Sequence, residues 1–150
     1  MYHITKSLSL KTDIEKLYKF HLDPRNLRLI SPRSLPAKVV HISHTPLQKG
    51  SEIKIKLNVF PFVSVNWEVL IENVIENKLI VDLQKKGPFK FWRHEHKFDL
   101  LFDGTVVMTD DITFEIGFGL LGKIASPFIK WPIKKILETR HKNMELLFGG

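Results

Sequence analysis

The sequence has 150 residues, a length at which one domain buries roughly 70% of the surface that its unfolded chain exposes. It contains no cysteine, which excludes disulfides, zinc–thiolate sites and a cysteine nucleophile. The formal net charge of +7 suits an anionic partner such as phospholipid headgroups, nucleic acid or an acidic ligand, without choosing among them.

The sequence carries no targeting or membrane-spanning signal. Met1 to Lys6 lack the apolar run of a secretory signal peptide, and no window has the roughly 18 uncharged apolar residues of a membrane span. Neither a phosphate-binding glycine loop nor a nucleophile elbow is present. We therefore expect a cytoplasmic protein.

The N-terminal part predicts one strand and two short helices. Alternating apolar residues indicate a strand over Tyr2 to Leu10. Thr12 and Glu15 form a capping box, so a helix is predicted to begin there. Asp23-Pro24 ends this helix and supplies the cap and first-turn proline of a second helix, which runs through Ile30.

The middle of the chain predicts strands over 39–43, 53–59, 63–71 and 79–83, and Phe60-Pro61-Phe62 is the turn between the second and the third. In the last three strands the odd-numbered residues are apolar and are predicted to face the core. This inward set is Ile53, Ile55, Leu57, Val59, Val63, Val65, Trp67, Val69, Ile71, Leu79, Val81 and Leu83.

A strand over Phe89 to Phe102 carries polar side chains on its inner face. Alternation predicts that its even-numbered residues face inward, and these are Trp92, His94, His96, Phe98, Leu100 and Phe102. A three-residue loop, 103–105, would set Phe102 opposite Val106. On the returning strand the inward residues are then Val106, Met108, Asp110, Ile112, Phe114 and Ile116, which makes Asp110 a diagonal neighbour of His96.

The final fifth of the chain, Gly119 to Phe148, predicts an amphipathic helix. Apolar residues recur at spacings of three and four from Ile129 onward. Because proline disrupts a helix interior, Pro127 is expected to separate a short helix from a main helix that has Pro132 in its first turn. The apolar stripe of that helix must pack on the sheet, which indicates an α+β fold in which a curved antiparallel sheet surrounds one C-terminal helix.

Several motifs carry a family resemblance. The stretches Gly87-Pro88-Phe89, Trp92 to Phe98, Gly104-Thr105 and Gly117-Phe118-Gly119, with Met108 and Asp110, resemble the bacterial ligand-binding members of the START-like (SRPBCC) superfamily, which also includes polyketide cyclases and dehydratases. The resemblance implies a helix-grip fold: six to seven antiparallel strands wrapped around a long C-terminal helix, with two short helices after strand 1. It also implies that 1–150 is a single ligand-binding domain with an apolar pocket between sheet and helix.

The pocket implied by this resemblance gives our leading hypothesis, which is binding or transport of one hydrophobic or amphipathic molecule, lipid-like or polyketide-like. No cofactor and no metal are expected. The aromatic members of the candidate set suit a core as well as a pocket. The candidate ligand-binding residues are Trp67, Trp92, His94, His96, Phe98, Met108, Asp110, Ile112, Phe114, Phe118, Ile133 and Leu137.

His94, His96 and Asp110 are the candidates for chemistry. Buried polar groups need partners, so the three side chains are expected to hydrogen-bond to one another, to water or to a ligand. Three interpretations stay open: a polar network that fixes strand register, an anchor for a ligand head group, or a cyclase/dehydratase-type enzyme that uses His94 or His96 as acid or base. A metal site is not predicted, because no third histidine has a comparable placement.

The C-terminal helix is strongly basic. Its cations are Lys123, Lys130, Lys134, Lys135, Arg140 and Lys142. They form either a solvated face or a surface for transient membrane contact that helps an apolar ligand enter and leave. Nucleic-acid binding is unlikely, since no recognised module accompanies the charge.

Overall fold

The core of the fold is a seven-stranded sheet, seen in a computed structural model that describes residues 1–60 and 63–149; the predicted turn at Pro61-Phe62 lies outside them. All neighbouring strands are antiparallel. The strands are β1 (Tyr2–Leu10), β2 (Ala37–Ile42), β3 (Glu52–Phe60), β4 (Val63–Ile75), β5 (Leu79–Lys86), β6 (Phe91–Leu100) and β7 (Val106–Glu115), in the spatial order β1-β7-β6-β5-β4-β3-β2.

Three helices complete the fold. They are α1 (Ile14–His21), α2 (Leu27–Ile30), which follows a single 3₁₀ turn over Pro24–Asn26, and α3 (Gly119–Phe148). The predicted α+β helix-grip architecture is confirmed. Of the helices described, none is long and apolar enough to cross a membrane.

The core lies between the inner face of the sheet and the helices. At one end Leu10, Leu17, Phe98 and Met144 join β1, α1, β6 and α3 in one apolar cluster. A second cluster joins Trp92, Ile112, Phe114, Ile133 and Leu137, and a third joins Leu47, Ile53, Val69 and Ile71. The clusters hold α3 against the sheet through its buried stripe.

The first helix begins one residue later than the capping box predicts. Asp13, not Thr12, is the N-cap, and its side chain accepts a hydrogen bond from the Lys16 backbone N–H at 2.8 Å. The predicted cap of the next turn is confirmed, because Asp23 accepts from the Arg25 backbone N–H at 3.0 Å. Both aspartates satisfy N–H groups that a helix start leaves free.

The β6–β7 loop is longer than predicted. It has five residues, 101–105, closed by a hydrogen bond from the Leu101 N–H to the Thr105 carbonyl at 2.8 Å. Leu100 therefore lies opposite Val106, and the predicted pairing of Phe102 with Val106 is wrong. Leu100 and Phe102, predicted to face inward, are exposed, because Phe102 lies in the loop and Leu100 at the end of its strand.

This correction shifts the pairing by two residues. An even shift leaves every side chain on its predicted face, so the alternation in β7 stands. It also moves Asp110 from a diagonal position to one directly opposite His96.

The inner face of β5 is the opposite of the predicted one. Ile80 and Asp82 line the interior, whereas Val81 lies on the other face. The cause is a bulge in β4: Ile71 pairs with Asp82 and Asn73 pairs with Val81, so Glu72 is an extra residue. Because side chains alternate between the two faces along a strand, one extra residue in β4 reverses which residues of β5 face inward.

The C-terminal helix is continuous, so the predicted break is wrong. Pro127 and Pro132 both lie inside α3. Pro127 has no N–H to donate to the Lys123 carbonyl, but the Ser126 hydroxyl donates to that carbonyl at 2.8 Å. The residue before the proline thus replaces the lost hydrogen bond.

Candidate functional site

A cavity of about 160 Å³ lies between the sheet and the helices. Its walls come from α1, α2, α3 and strands β3 to β7. Most of its lining is apolar and includes Leu27, Ile30, Ile53, Ile55, Val69, Ile80, Met108, Leu137 and Met144, with Trp67 and Trp92. A charged cluster forms the remaining wall.

Seven of the twelve candidate ligand-binding residues line this cavity: Trp67, Trp92, His94, His96, Met108, Asp110 and Leu137. The other five lie elsewhere. Phe98 packs edge-on against Tyr18, with ring centroids 5.6 Å apart. Ile112, Phe114 and Ile133 pack together in the core, and Phe118 is 86% exposed just before α3. A ligand-binding role for any of the twelve stays a prediction.

Asp110 is the centre of the charged cluster. His94 Nε2 lies 2.7 Å from its Oδ1, and His141 Nε2 lies 2.5 Å from its Oδ2. His96 Nδ1 is 2.9 Å from Oδ1, an ion-pair contact in which the N–H is poorly aligned for a hydrogen bond. Burial raises the pKa of Asp110, but the hydrogen bonds from His141 and His94 and the ion-pair contact with His96 outweigh burial and hold the pKa well below its usual range.

His96 lies between two carboxylates. Its Nε2 is 2.9 Å from Asp82 Oδ2, while its Nδ1 faces Asp110. Burial acts to lower the pKa of His96, but the negative charge of Asp82 and the contact with Asp110 raise it to about 10. His96 is therefore an imidazolium at neutral pH. Its charge in turn lowers the pKa of Asp82, against the effect of burial.

His94 is the neutral partner of this imidazolium. The two rings stack, with centroids 3.9 Å apart and an interplanar angle of 32°. Burial and the charge of His96 lower the pKa of His94, although Asp110 opposes them. A neutral ring that hydrogen-bonds a carboxylate through Nε2 carries its proton there, which leaves Nδ1 as an acceptor.

His21, at the end of α1, adds a second neutral imidazole. Its Nδ1–H donates to the Leu17 carbonyl at 2.9 Å, so Nε2 is an acceptor. Burial, followed by the charge of His96, lowers the pKa of His21 to about 4. Nε2 is buried and has no hydrogen-bond partner among the described residues.

Two donors at the cavity wall are also unused. Arg140 Nε and Trp67 Nε1 are buried, and neither has a partner in the described part of the chain. Burial lowers the pKa of Arg140 while Asp110 and Asp82 oppose it, and a guanidinium stays charged at neutral pH. Arg140, Trp67 and His21 thus line the cavity, and each has one buried polar atom without a partner among the described residues, which is costly.

Sequence reasoning missed four members of the cluster. Asp82 was assigned to the outer face because the β4 bulge was not visible. His141 had a usable signal, since it follows Leu137 by four residues and precedes Met144 by three, on the buried stripe of α3. His21 similarly follows Leu17 by four residues in α1. Arg140 has a comparable spacing, since it follows Leu137 by three residues and precedes Met144 by four.

Asp82, His94 and His96 could together hold a metal ion, because each offers a ligand atom within 4.8 Å of the others. Each imidazole already engages a carboxylate, His94 with Asp110 and His96 with Asp82. A metal ion would have to displace the protons that hold these pairs together. The expectation of no metal stays a prediction.

Known structures share this architecture. Protein Ms6760 from Mycobacterium smegmatis aligns with a TM-score of 0.71 at 17% identity, over 97% of this chain and 89% of that one. A START superfamily protein from the same species aligns with a TM-score of 0.71 at 14% identity, over 99% and 97%. Ginseng major latex-like protein 151 from Panax ginseng gives 0.68 at 12% identity, over 98% and 97%. At these identities the similarity shows the fold alone.

Sequence comparison gives the family. No curated protein matches the chain. The family described as polyketide cyclase/dehydrase and lipid transport matches residues 10–139. This match covers most of the sequence and agrees with the resemblance to the START-like superfamily. The chain belongs to the polyketide cyclase/dehydrase and lipid transport family.

Proposed function

We propose that residues 1–150 form one domain that binds a single hydrophobic or amphipathic small molecule between the sheet and α3. The observation that carries this proposal is an apolar cavity with one charged wall whose donors and acceptor are unfilled. Binding pockets for small molecules are typically apolar with a few placed polar groups. Family membership supports the same class of function.

The size of the cavity limits the part of the ligand that it encloses. Its volume of about 160 Å³ is close to the roughly 150 Å³ of an engineered apolar cavity that binds benzene. The enclosed part is therefore about as large as one aromatic ring or a short acyl segment. A longer ligand would extend beyond the cavity or require its walls to move.

The charged wall suits an oxygen head group. Arg140 Nε–H and Trp67 Nε1–H can both donate to a hydroxyl, carbonyl or carboxylate oxygen, and His21 Nε2 can accept from a hydroxyl. The paired His94, His96 and Asp110 then act mainly as a support that holds this wall in place. In this form of the anchor interpretation, Arg140, Trp67 and His21 make the hydrogen bonds to the ligand head group.

The test has two steps. Native mass spectrometry and lipid extraction of the purified protein should first reveal a co-purified apolar molecule. Calorimetric titration with 1-naphthol and naphthalene then compares two ligands that differ by one hydroxyl. Arg140→Met should weaken 1-naphthol binding about tenfold and change naphthalene binding little, because a hydrogen bond to a charged group contributes about 1.5–3 kcal/mol.

Absence of binding for both probes and for extracted lipids would reject the proposed function. An equal loss of 1-naphthol and naphthalene affinity in folded Arg140→Met would reject only the role of Arg140 as an anchor for the ligand head group. Lys142→Met, two residues further along α3 and exposed, is the matched control and should leave both affinities unchanged.

A second candidate is a cyclase- or dehydratase-type enzyme. The observation in its favour is that neighbouring histidines have pKa values shifted in opposite directions, His94 downward and His96 upward. Such a pair can supply a base and an acid at one pH. This enzyme hypothesis would be established if the protein turns over an apolar carbonyl compound and His94→Phe loses the turnover while it still binds the ligand. Retained turnover in that variant would reject the hypothesis.

The remaining proposals concern where the protein is located and how it loads and unloads its ligand. Cytoplasmic residence stays our proposal. A carrier of a poorly soluble molecule also has to load and unload it, and transient contact between the basic C-terminal helix and a membrane surface is the route we favour.

A further inference from the structure

The first half of α3 exposes an unusual number of large apolar side chains. Leu120 and Leu121 are 73% exposed, Ile124 63%, Phe128 78% and Trp131 63%. Single exposed apolar residues are ordinary on a protein surface, but a contiguous group marks an interaction site. These five residues are called the apolar stripe below.

The stripe lies on the side of the helix that faces away from the core. Successive helical residues advance by about 100°, which places Leu120, Ile124, Phe128 and Trp131 within about 80° of one another. Ile133 and Leu137, which pack on the sheet, lie roughly on the opposite side. The stripe therefore contributes nothing to the core of this chain.

The same outward face changes character along the helix. Beyond Trp131 it carries Lys135, Glu138 and Lys142, which are the polar residues expected on a solvated face. Lys135 pairs with Glu138 at 3.0 Å. Apart from Leu146 and Leu147 close to its C-terminal end, the large exposed apolar side chains of α3 all lie in its first half, within residues 120–131.

Cations surround the stripe without compensating acids. Residues 118–135 contain four lysines and neither aspartate nor glutamate. Lys123, Lys130 and Lys134 have no ion-pair partner within the described residues, and Lys135 lies 5.8 Å from the ring centroid of Trp131. Apolar side chains flanked by free lysines, with a tryptophan among them, are typical of helices that lie in the interface of an anionic bilayer.

We infer that the apolar stripe and its lysines form a docking surface for anionic phospholipid bilayers. The helix lies parallel to the bilayer, its stripe enters the boundary between headgroups and acyl chains, and the lysines pair with lipid phosphates. Self-association through the stripe is disfavoured, because a second copy would bring the same uncompensated positive charge to the contact. The inference rests on the proposed function for its purpose, since the bilayer is the reservoir of ligand, but the surface itself is independent of the cavity.

Vesicle co-sedimentation of the full chain tests this surface. The wild type should bind vesicles of equal parts phosphatidylglycerol and phosphatidylcholine at low salt and bind phosphatidylcholine vesicles far more weakly. The double variant Phe128→Gln/Trp131→Gln should lower partitioning onto the anionic vesicles by about tenfold or more. Val40→Gln is the matched control, because Val40 is an exposed apolar residue, 54% exposed, that lies on β2 and not on α3.

Fluorescence gives an independent measurement. Trp131 is exposed, whereas Trp67 and Trp92 line the cavity, so a blue shift on adding anionic vesicles should come from Trp131 and be lost in Trp131→Phe. Ligand titrations separate the two proposals: the double variant should keep 1-naphthol affinity, and Arg140→Met should keep vesicle binding.

Three results would overturn the inference. The first is no binding of the wild type to anionic vesicles at low salt. The second is an equal loss of vesicle binding in Val40→Gln. The third is a concentration-dependent dimer, detected by light scattering and abolished by Phe128→Gln without any vesicle binding, which would assign the stripe to a second copy of the chain.

Discussion

The buried imidazolium of His96 predicts that alkaline pH destabilises the protein. Its pKa is about 10 in the folded state against a reference value of 6.5, so the folded state holds a proton that the unfolded state releases between these values. The resulting stability is fully present below pH 6.5 and is lost as the pH rises towards 10. At 1.36 kcal/mol per pKa unit, a shift of this size corresponds to at most about 5 kcal/mol, and we expect a loss of about 2–4 kcal/mol by pH 9.5.

Urea unfolding at a series of pH values between 6.5 and 9.5 measures this loss. Asp82→Asn removes the larger of the two attractions that raise the pKa of His96, and it should reduce the loss to less than half of the wild-type value. Asp111→Asn is the matched control, because Asp111 is next to Asp110 in sequence but pairs with Lys97 on the other face of the sheet. It should leave the pH dependence unchanged.

Two outcomes would refute the reasoning. One is a free energy of unfolding that stays flat across this range, since a large upward pKa shift requires a slope. The other is an Asp82→Asn variant with the wild-type slope. NMR titration of the His96 ring protons would then show whether His96 is protonated in this pH range.

Three further predictions follow from other parts of the structure. Asp110→Ala removes the shared acceptor of three imidazoles and should lower the free energy of unfolding by about 3–5 kcal/mol in urea titration. His21 has a pKa of about 4 in the folded state, below its unfolded value. The stability that neutral His21 contributes is therefore present above pH 6.5 and is lost as the pH falls towards 4. His21→Phe should reduce this loss in the free energy of unfolding, measured by urea titrations at those pH values. Gly122→Ala places a Cβ against the Gly117 carbonyl and should lower Tm, whereas Gly117→Ala meets nothing within 4 Å and should change Tm little.

The sequence predicted the elements well where local pattern decides them. In β7 the even-numbered residues from Val106 to Phe114 are apolar except Asp110, and burial alternates along the whole strand as predicted. The inward placement of His94 and His96 came from the same rule. Local periodicity sufficed because neither strand contains a bulge.

The errors arose where a distant or compensating contact decides the structure. The bulge at Glu72 inverted the faces of β5, and nothing in the sequence of β5 itself indicates it. The helix break expected at Pro127 was avoided by a hydroxyl on the preceding residue. In each case a feature outside the periodic pattern, a bulge or a side-chain hydrogen bond, decided the outcome.

Only half of the candidate site could be predicted from the sequence, for a related reason. His94, His96 and Asp110 lie on adjacent strands joined by one hairpin, so sequence spacing brings them together. Asp82 reaches the cluster from β5, which pairs with β6, and His21 and His141 reach it through packing of α1 and α3 on the sheet. Such long-range contacts cannot be read from one strand pair.

The pairing of β1 with β7 constrains how the chain can fold during synthesis. Tyr2 pairs with Phe114 and Leu10 with Val106, so during synthesis β1 waits for a partner that lies about one hundred residues later. At roughly 5–20 residues per second, this delay is about 5–20 seconds. During that time Ile4 and Leu8, buried in the finished protein, have no sheet to cover them. The nascent chain therefore has a window in which chaperone binding competes with aggregation, and it closes only when β7 has left the exit tunnel.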